Sequence, residues 1–391
     1  MLRTVGPAAA ALTSSMVPIF LLGALSEDIR RDLGLGEMAI GAIVTVVFLV
    51  AAVAAAPAGR ISERHGAGVT LRTGVVLAGL VGAAVAAFAQ GWLTLLLPLA
   101  FVGVAVGLVD TGAARAFADR VSAAQHGQAF GLKEASVPTA SLLAGLAVPV
   151  VAATWTWRHA FAAGAVVAGL VLLTLRGIGT RRAGTVAPPV EELAGEPGSK
   201  ITSVTLGLAV GAGLGAGAAT SAATFLVPGL QAQGLTPTVA GLVLAAASVA
   251  SIATRILIGR WADRPDADAL AAVLAMCVVG CLGTVVLAAA VHPLVAAVAA
   301  MLMLGGGWGW TGLAFLAAVR ANPRAPATAA GVVLSGLGFG SALGPLTFGT
   351  LASRVSYAAA WLLVAAGLAA AALTVFLVRR QVLPAGSAPA G

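Results

Sequence analysis

Long apolar stretches separated by short charged or turn-forming runs set the pattern of this chain. They fall near residues 6–25, 38–58, 73–90, 94–117, 129–152, 160–175, 202–228, 238–258, 269–290, 294–318, 329–351 and 358–378. A helix needs about 20 apolar residues to cross a bilayer, and most of these stretches have that length. None alternates apolar and polar residues as a half-buried strand does, and lipid leaves no backbone group unpaired. The pattern predicts an all-α membrane protein with twelve spanning helices.

The polar runs between the stretches are related. Gly59-Arg60-Ile61-Ser62-Glu63-Arg64-His65-Gly66 follows the second stretch, and Gly259-Arg260-Trp261-Ala262-Asp263-Arg264 follows the eighth, 200 positions later. The same offset superposes Gly34-Leu35 on Gly234-Leu235, Gly41 on Gly241, Gly107 on Gly307, Thr111-Gly112 on Thr311-Gly312, and Gly131 on Gly331. One constant offset predicts a duplicated six-helix unit. The first unit is expected over 1–175 and the second over 201–380. Between them, 176–200 changes character, with Pro188-Pro189, Glu191-Glu192 and scattered Gly and Arg, and reads as a cytoplasmic linker. Residues 381–391 read as a disordered cytoplasmic tail.

Composition agrees with a lipid solvent: 60% of residues are hydrophobic and 9% charged, with mean hydropathy +1.02, against roughly a quarter charged in soluble domains. With both termini in the cytoplasm, only Arg30, Arg31, Arg158 and Arg354 of the 22 basic residues fall outside, which satisfies the positive-inside rule. The net charge of +8 is then a matter of topology, and nothing resembles a basic groove for nucleic acid. A multi-pass plasma (inner) membrane protein is expected, working as a monomer. The first stretch follows Met1-Leu2-Arg3 but is too long for a signal core and has an internal repeat partner, so it reads as a span. Cys277 and Cys281, one turn apart on the ninth stretch, read as packing residues.

The paired runs resemble the loop motif G-x-L-[AS]-D-R-x-G-R-[RK] of the major facilitator superfamily. Gly59, Ser62, Arg64 and Gly66 match it, and Glu63 stands for the aspartate; in the second half Gly259, Ala262, Asp263 and Arg264 match. The resemblance covers essentially the whole chain. It implies two six-helix bundles about a central cavity lined by the first, fourth, seventh and tenth helices, with alternating access by rocking of the halves. It also implies a cytoplasmic gate built from Gly59, Arg60, Glu63, Arg64, Gly259, Arg260, Asp263 and Arg264. Arg115 and Asp119, at the end of the fourth helix, join that gate.

An ionisable side chain within a span costs roughly 2.5–3.5 kcal/mol on insertion scales, so each one is a candidate for function. Asp110 lies about eight residues, roughly 12 Å, from the cytoplasmic end of the fourth helix, and reads as a proton or substrate site or as half of a structural ion pair. Its repeat partner is Trp310, expected to face the same cavity as an apolar wall with one donor. Lys133 and Glu134 enter the fifth helix, where neighbours differ by about 100° around the axis; one is expected to face the cavity and the other a neighbouring helix. Pro138 removes the amide that would bond the Glu134 carbonyl, which invites a bend. Arg255 stands one turn before Gly259, on a polar stripe with Ser248 and Ser251. It reads as an anion-binding guanidinium or as a side chain reaching the cytoplasmic surface.

Two shorter resemblances bear on substrate. The stretch from Gly131 to Pro149 is similar to cyanate-permease-like members of the superfamily, and the position of Arg255 resembles the anion-binding arginine of monocarboxylate and oxalate-type porters. The leading expectation is a secondary transporter of a small organic anion coupled to protons. Arg255 and Lys133 would hold the negative group, Asp110 or Glu134 the proton, and Trp310 would shape the pocket. The alternative is proton-coupled efflux of a cationic or amphipathic drug at Asp110, against which the fifth helix lacks a G-x-x-x-G-P run. No cofactor motif, metal cluster or nucleophile beside a base is present in the sequence, so an enzyme is not expected. The partners expected are a small-molecule substrate, protons and the lipid bilayer.

Overall fold

The computed structural model describes residues 2–118, 126–178, 203–262, 264, 267–289, 292–322 and 326–382. Among them the chain forms α1 Leu2–Ala24, α2 Ser26–Leu33, α3 Glu37–His65, α4 Ala67–Phe88, α5 Trp92–Ala118, α6 His126–Ala153 and α7 Trp157–Thr174, closed by a 3-10 turn at Leu175–Gly177. The second half contributes α8 Ser203–Ala232, α9 Pro237–Ala262, α10 Ala269–Ala288, α11 Pro293–Gly309, α12 Thr311–Ala321, α13 Pro326–Arg354 and α14 Tyr357–Val382. Among the described residues, twelve spans are long and apolar enough to cross a membrane. Two of the helices were not foreseen as separate elements. The acidic connection after the first span holds the short α2, and the tenth span is interrupted at Trp310, between α11 and α12.

α2 carries Glu27 and Asp28 in its first turn and Arg30 and Arg31 near its end, a charge order that complements the helix dipole. It stops at Gly34, whose φ of +66° favours glycine; its repeat partner Gly234 has φ +90° and likewise closes a helix. The third span begins at Ala67, earlier than expected. The guanidinium of Arg72 does not end the helix, because Nη2 reaches carbonyls beyond α7, at 2.9 Å to Leu175 and 3.0 Å to Ile178.

The core explains how the halves meet. On the face away from the chain termini (the far face), one apolar cluster joins both halves, drawing Leu22, Ile40, Leu99 and Val148 together with Phe225, Leu244, Phe348 and Trp361. On the terminus face that core divides. Val5, Leu12, Leu71 and Val109 pack within the first half, while Leu208, Met276, Trp310 and Val375 pack within the second. Exposed leucines and phenylalanines such as Leu80, Phe88, Leu97 and Leu282 face outward, where lipid is as apolar as they are.

Glycine contacts trace the same opening. At the far face an added Cβ on Gly23 would lie 2.7 Å from the Thr224 carbonyl, and one on Gly349 would lie 2.6 Å from that of Glu37. Gly41 presses on Pro345 of α13, and its repeat partner Gly241 presses on Gly145 of α6. The terminus face breaks this symmetry. A Cβ on Gly131 would sit 3.2 Å from the Arg255 carbonyl and 3.8 Å from Gly259, so α6 and α9 stay closed; around Gly59 and Gly331, the corresponding pair on α3 and α13, nothing lies within 4 Å. The halves are sealed at the far face and parted between α3 and α13 at the other.

Candidate functional site

Four charged side chains from α5, α6 and α9 form one chain of contacts inside the bundle. Lys133 Nζ lies 2.7 Å from Asp110 Oδ1 and 3.6 Å from Glu134 Oε1. Glu134 Oε2 in turn lies 3.4 Å from Arg255 Nη1. Asp110 at one end of the series is 46% exposed and Arg255 at the other 3%, with Lys133 at 12% and Glu134 at 22% between them.

Local sequence explains how Arg255 is held. Pro138 has no amide to offer the Glu134 carbonyl, and Arg255 Nη1 donates to that carbonyl at 3.3 Å. The interruption at Trp310 provides the other anchor. Arg255 Nη2 donates to the Trp308 carbonyl at 2.6 Å, an intrusion of the kind that breaks a helical ladder. Nη1 also donates to Thr311 Oγ1 at 3.2 Å, and the Thr311 hydroxyl donates to Glu134 Oε2 at 3.3 Å. The guanidinium carbon sits 5.3 Å from the Trp308 ring centroid, and that ring packs 5.9 Å from Phe20 of α1. The site thus joins both halves of the molecule.

The structure revises several sequence expectations. Lys133 and Glu134 do not part company; long side chains bring both into one network, Lys133 toward α5 and Glu134 toward α9. Arg255 does not reach the surface but turns into the bundle. Trp310 does not face the cavity. It is 1% exposed in the core of the second half, fills the slot opposite Gly215, and donates Nε1 to the Gly307 carbonyl at 2.8 Å. The repeat offset aligned it with Asp110 in sequence, but the helix break and the Gly215 slot decide where the indole goes. Trp308 and Thr311 were missed. Thr311 was visible only as a repeat match to Thr111, and Trp308 carries no charge to mark it. Ser248 and Ser251 are buried, Ser248 Oγ donating to Ser141 Oγ at 3.0 Å across the seam between α6 and α9.

The expected gate residues lie at the terminus face. Arg60, Glu63 and Arg64 are exposed and make no ion pair among the described residues; Arg260 and Arg264 are exposed as well. Gly59 stands free, whereas Gly259 abuts Gly131. Arg115 is half-buried at the end of α5, and Asp119 and Asp263 lie outside the described residues. At the far face, Asp32 Oδ2 accepts from Arg158 Nη1 at 2.6 Å and from Trp157 Nε1 at 3.1 Å, and these bonds, Arg158 first, hold the carboxyl below its ordinary value.

The model of the Major Facilitator Superfamily matches residues 8–333 and again 208–391. The chain belongs to the major facilitator superfamily. The second match, to the later half alone, agrees with the internal duplication. Among solved superfamily structures, the fold is similar to that of a bacterial homolog of the human lysosomal transporter Spinster, in an inward-facing and occupied conformation. The TM-score is 0.74 at 15% identity, over 96% of each chain. It is equally similar to the D-xylose-proton symporter, with TM-score 0.75 at 14% identity, over 96% of this chain and 97% of that one. Among curated proteins, no sequence matches it. As a superfamily member the chain is a multi-pass membrane transporter and not an enzyme.

Proposed function

We propose that this transporter carries a small organic anion coupled to protons by alternating access, from the plasma membrane with both termini in the cytoplasm. Residues 1–175 and 201–380 act as its two rocking bundles, joined by the linker 176–200, in a monomer. The observation that carries the reading is the pair of Lys133 and half-exposed Asp110, 2.7 Å apart. A carboxylate accessible to water can take a proton, and doing so releases a mostly buried ammonium for which an anion is the natural counter-ion.

Arg255 takes a different part from the one its position suggested. Its Nη groups already serve Glu134, Thr311 and the Trp308 carbonyl, so it positions Glu134 and the break in the tenth span, and Lys133 is the cation that meets the substrate. Efflux of a cationic drug is disfavoured by the same geometry, because Asp110 is neutralised by Lys133 before a cation arrives. The xylose-proton symporter, as its name states, couples to protons, which fits the coupling proposed for this chain.

Uptake and counterflow in proteoliposomes under an imposed pH gradient test the reading, with labelled small anions screened against lipophilic cations. Anion flux is expected in wild type. In Lys133→Gln, loss of a charged hydrogen bond worth about 1.5–3 kcal/mol weakens apparent affinity by roughly tenfold to a hundredfold. Cation flux that survives Lys133→Gln and requires Asp110 would leave the drug-efflux reading in its place.

A further inference from the structure

We infer that the carrier moves one monovalent anion with one proton and no net charge, Asp110 and the anion taking turns on Lys133. This rests on the anion reading above and adds its stoichiometry and its charge selectivity.

The argument begins with a sum of charges. Asp110, Lys133, Glu134 and Arg255 contact one another in series, two acids and two bases. Ionised, the group is neutral. The surrounding helices leave that balance alone: α1 from Val5 to Ala24 and all of α8 carry no ionisable side chain, and on α3 the residues Arg60, Glu63, Arg64 and His65 sit exposed at the terminus end. On α4, Arg72 is engaged with carbonyls beyond α7. Arg115 on α5 and Arg260 on α9 lie more than a turn nearer the terminus face.

Adding an anion alone leaves one net negative charge inside the bundle. Adding a proton alone leaves one net positive charge, with Lys133 deprived of its closest partner. Both are disfavoured where the surroundings cannot solvate a charge. Adding both returns the site to neutrality. Only the empty and the doubly loaded forms can then rock between faces, which is coupling without slippage. A dianion carrying one proton remains charged and is selected against.

Geometry says which carboxylate takes the proton. Glu134 answers to Arg255 and Thr311 as well as to Lys133, so protonating it would strip the counter-ion from a guanidinium only 3% exposed. Asp110 is bonded to Lys133 and is 46% exposed. The step balances simply: a proton passes from water in the opening to an Asp110 carboxylate oxygen, the Lys133 Nζ–H bond to that oxygen breaks, and the same N–H donates to an oxygen of the anion. Glu134 Oε1, 3.6 Å from Nζ, holds the ammonium in place during the exchange.

The test uses wild-type protein in proteoliposomes, with membrane potential clamped by a potassium gradient and valinomycin. A panel of labelled monovalent carboxylates and pseudohalides is compared with oxalate as the dianion. Monoanion flux is expected to follow the pH gradient and to be indifferent to potential, with oxalate at least tenfold slower and no transport current. Asp110→Asn fixes the site in the charge state of the protonated carboxyl; its anion-loaded form is neutral and its empty form positive, so it is expected to exchange anion at a rate independent of pH and to lose net flux. Monoanion flux accompanied by current in wild type overturns this inference and leaves anion transport standing. If monodisperse wild type carries no member of the panel, the anion reading falls and this inference with it.

Discussion

Arg255 donates to the backbone of two other helices and to two side chains, and its behaviour shows how far single residues could be read in advance. That Asp110, Lys133, Glu134 and Arg255 matter was legible, because a charge in an apolar span is costly enough to mark itself. Their pairing was not, because it depends on the reach of long side chains across helices. Nor was the burial of Trp310, which follows from a slot at Gly215 on a helix 95 positions earlier in the chain. A positioning role for Arg255 makes a specific prediction. Arg255→Ala leaves Glu134 without its buried partner and is expected to cost about 3–5 kcal/mol of stability. Arg255→Met combined with Glu134→Gln removes both charges and is expected to recover much of that loss. Thermal unfolding in detergent checks this, and a single variant as stable as wild type would contradict it.

At the level of helices, the twelve spans follow from hydropathy alone, and the departures have local causes. The third span was expected from residue 73, but the Arg72 guanidinium finds carbonyls beyond α7 and the helix already runs from Ala67. The tenth span read as continuous, but Arg255 interrupts it by bonding the Trp308 carbonyl. Gly336, Gly340 and Gly344 recur every four residues along α13, and Gly207, Gly211 and Gly215 do so along α8. Gly336, Gly340 and Gly344 press on Ala209, Gly213 and Gly217 of α8, while Gly207 and Gly211 face Val378 and Val375 of α14. Small residues let two helix backbones approach where lipid offers no hydrophobic drive. Gly340→Ala would drive a methyl group into the Gly213 carbonyl, which as backbone cannot yield, whereas Gly338 has nothing within 4 Å. Gly340→Ala is therefore expected to lower the melting temperature and the folded yield, and Gly338→Ala to leave both near wild type. Equal behaviour of the two would refute this account of the α8–α13 contact.

For the molecule as a whole, the repeat foretold two related halves but not which face would be open. That depends on which of two equivalent seams is closed, and the two carry the same glycines. Gly131 meets Gly259 while Gly59 and Gly331 stand apart, so closing the terminus face is expected to bring the second pair together as the first already is. Cysteines placed at Gly59 and Gly331, in a background lacking Cys277 and Cys281, are predicted to cross-link when substrate and proton are bound on the far side and to resist cross-linking in the state described here. Cross-linking of equal efficiency in all conditions would count against rocking at this seam. The central claim is that this closure occurs only when the buried charges balance. It is tested most directly by recording, in the same proteoliposomes, the uptake of a labelled monovalent anion and the pH of the lumen. The account predicts one proton entering per anion in wild type and none in Asp110→Asn. Anion uptake in wild type without proton entry would contradict it.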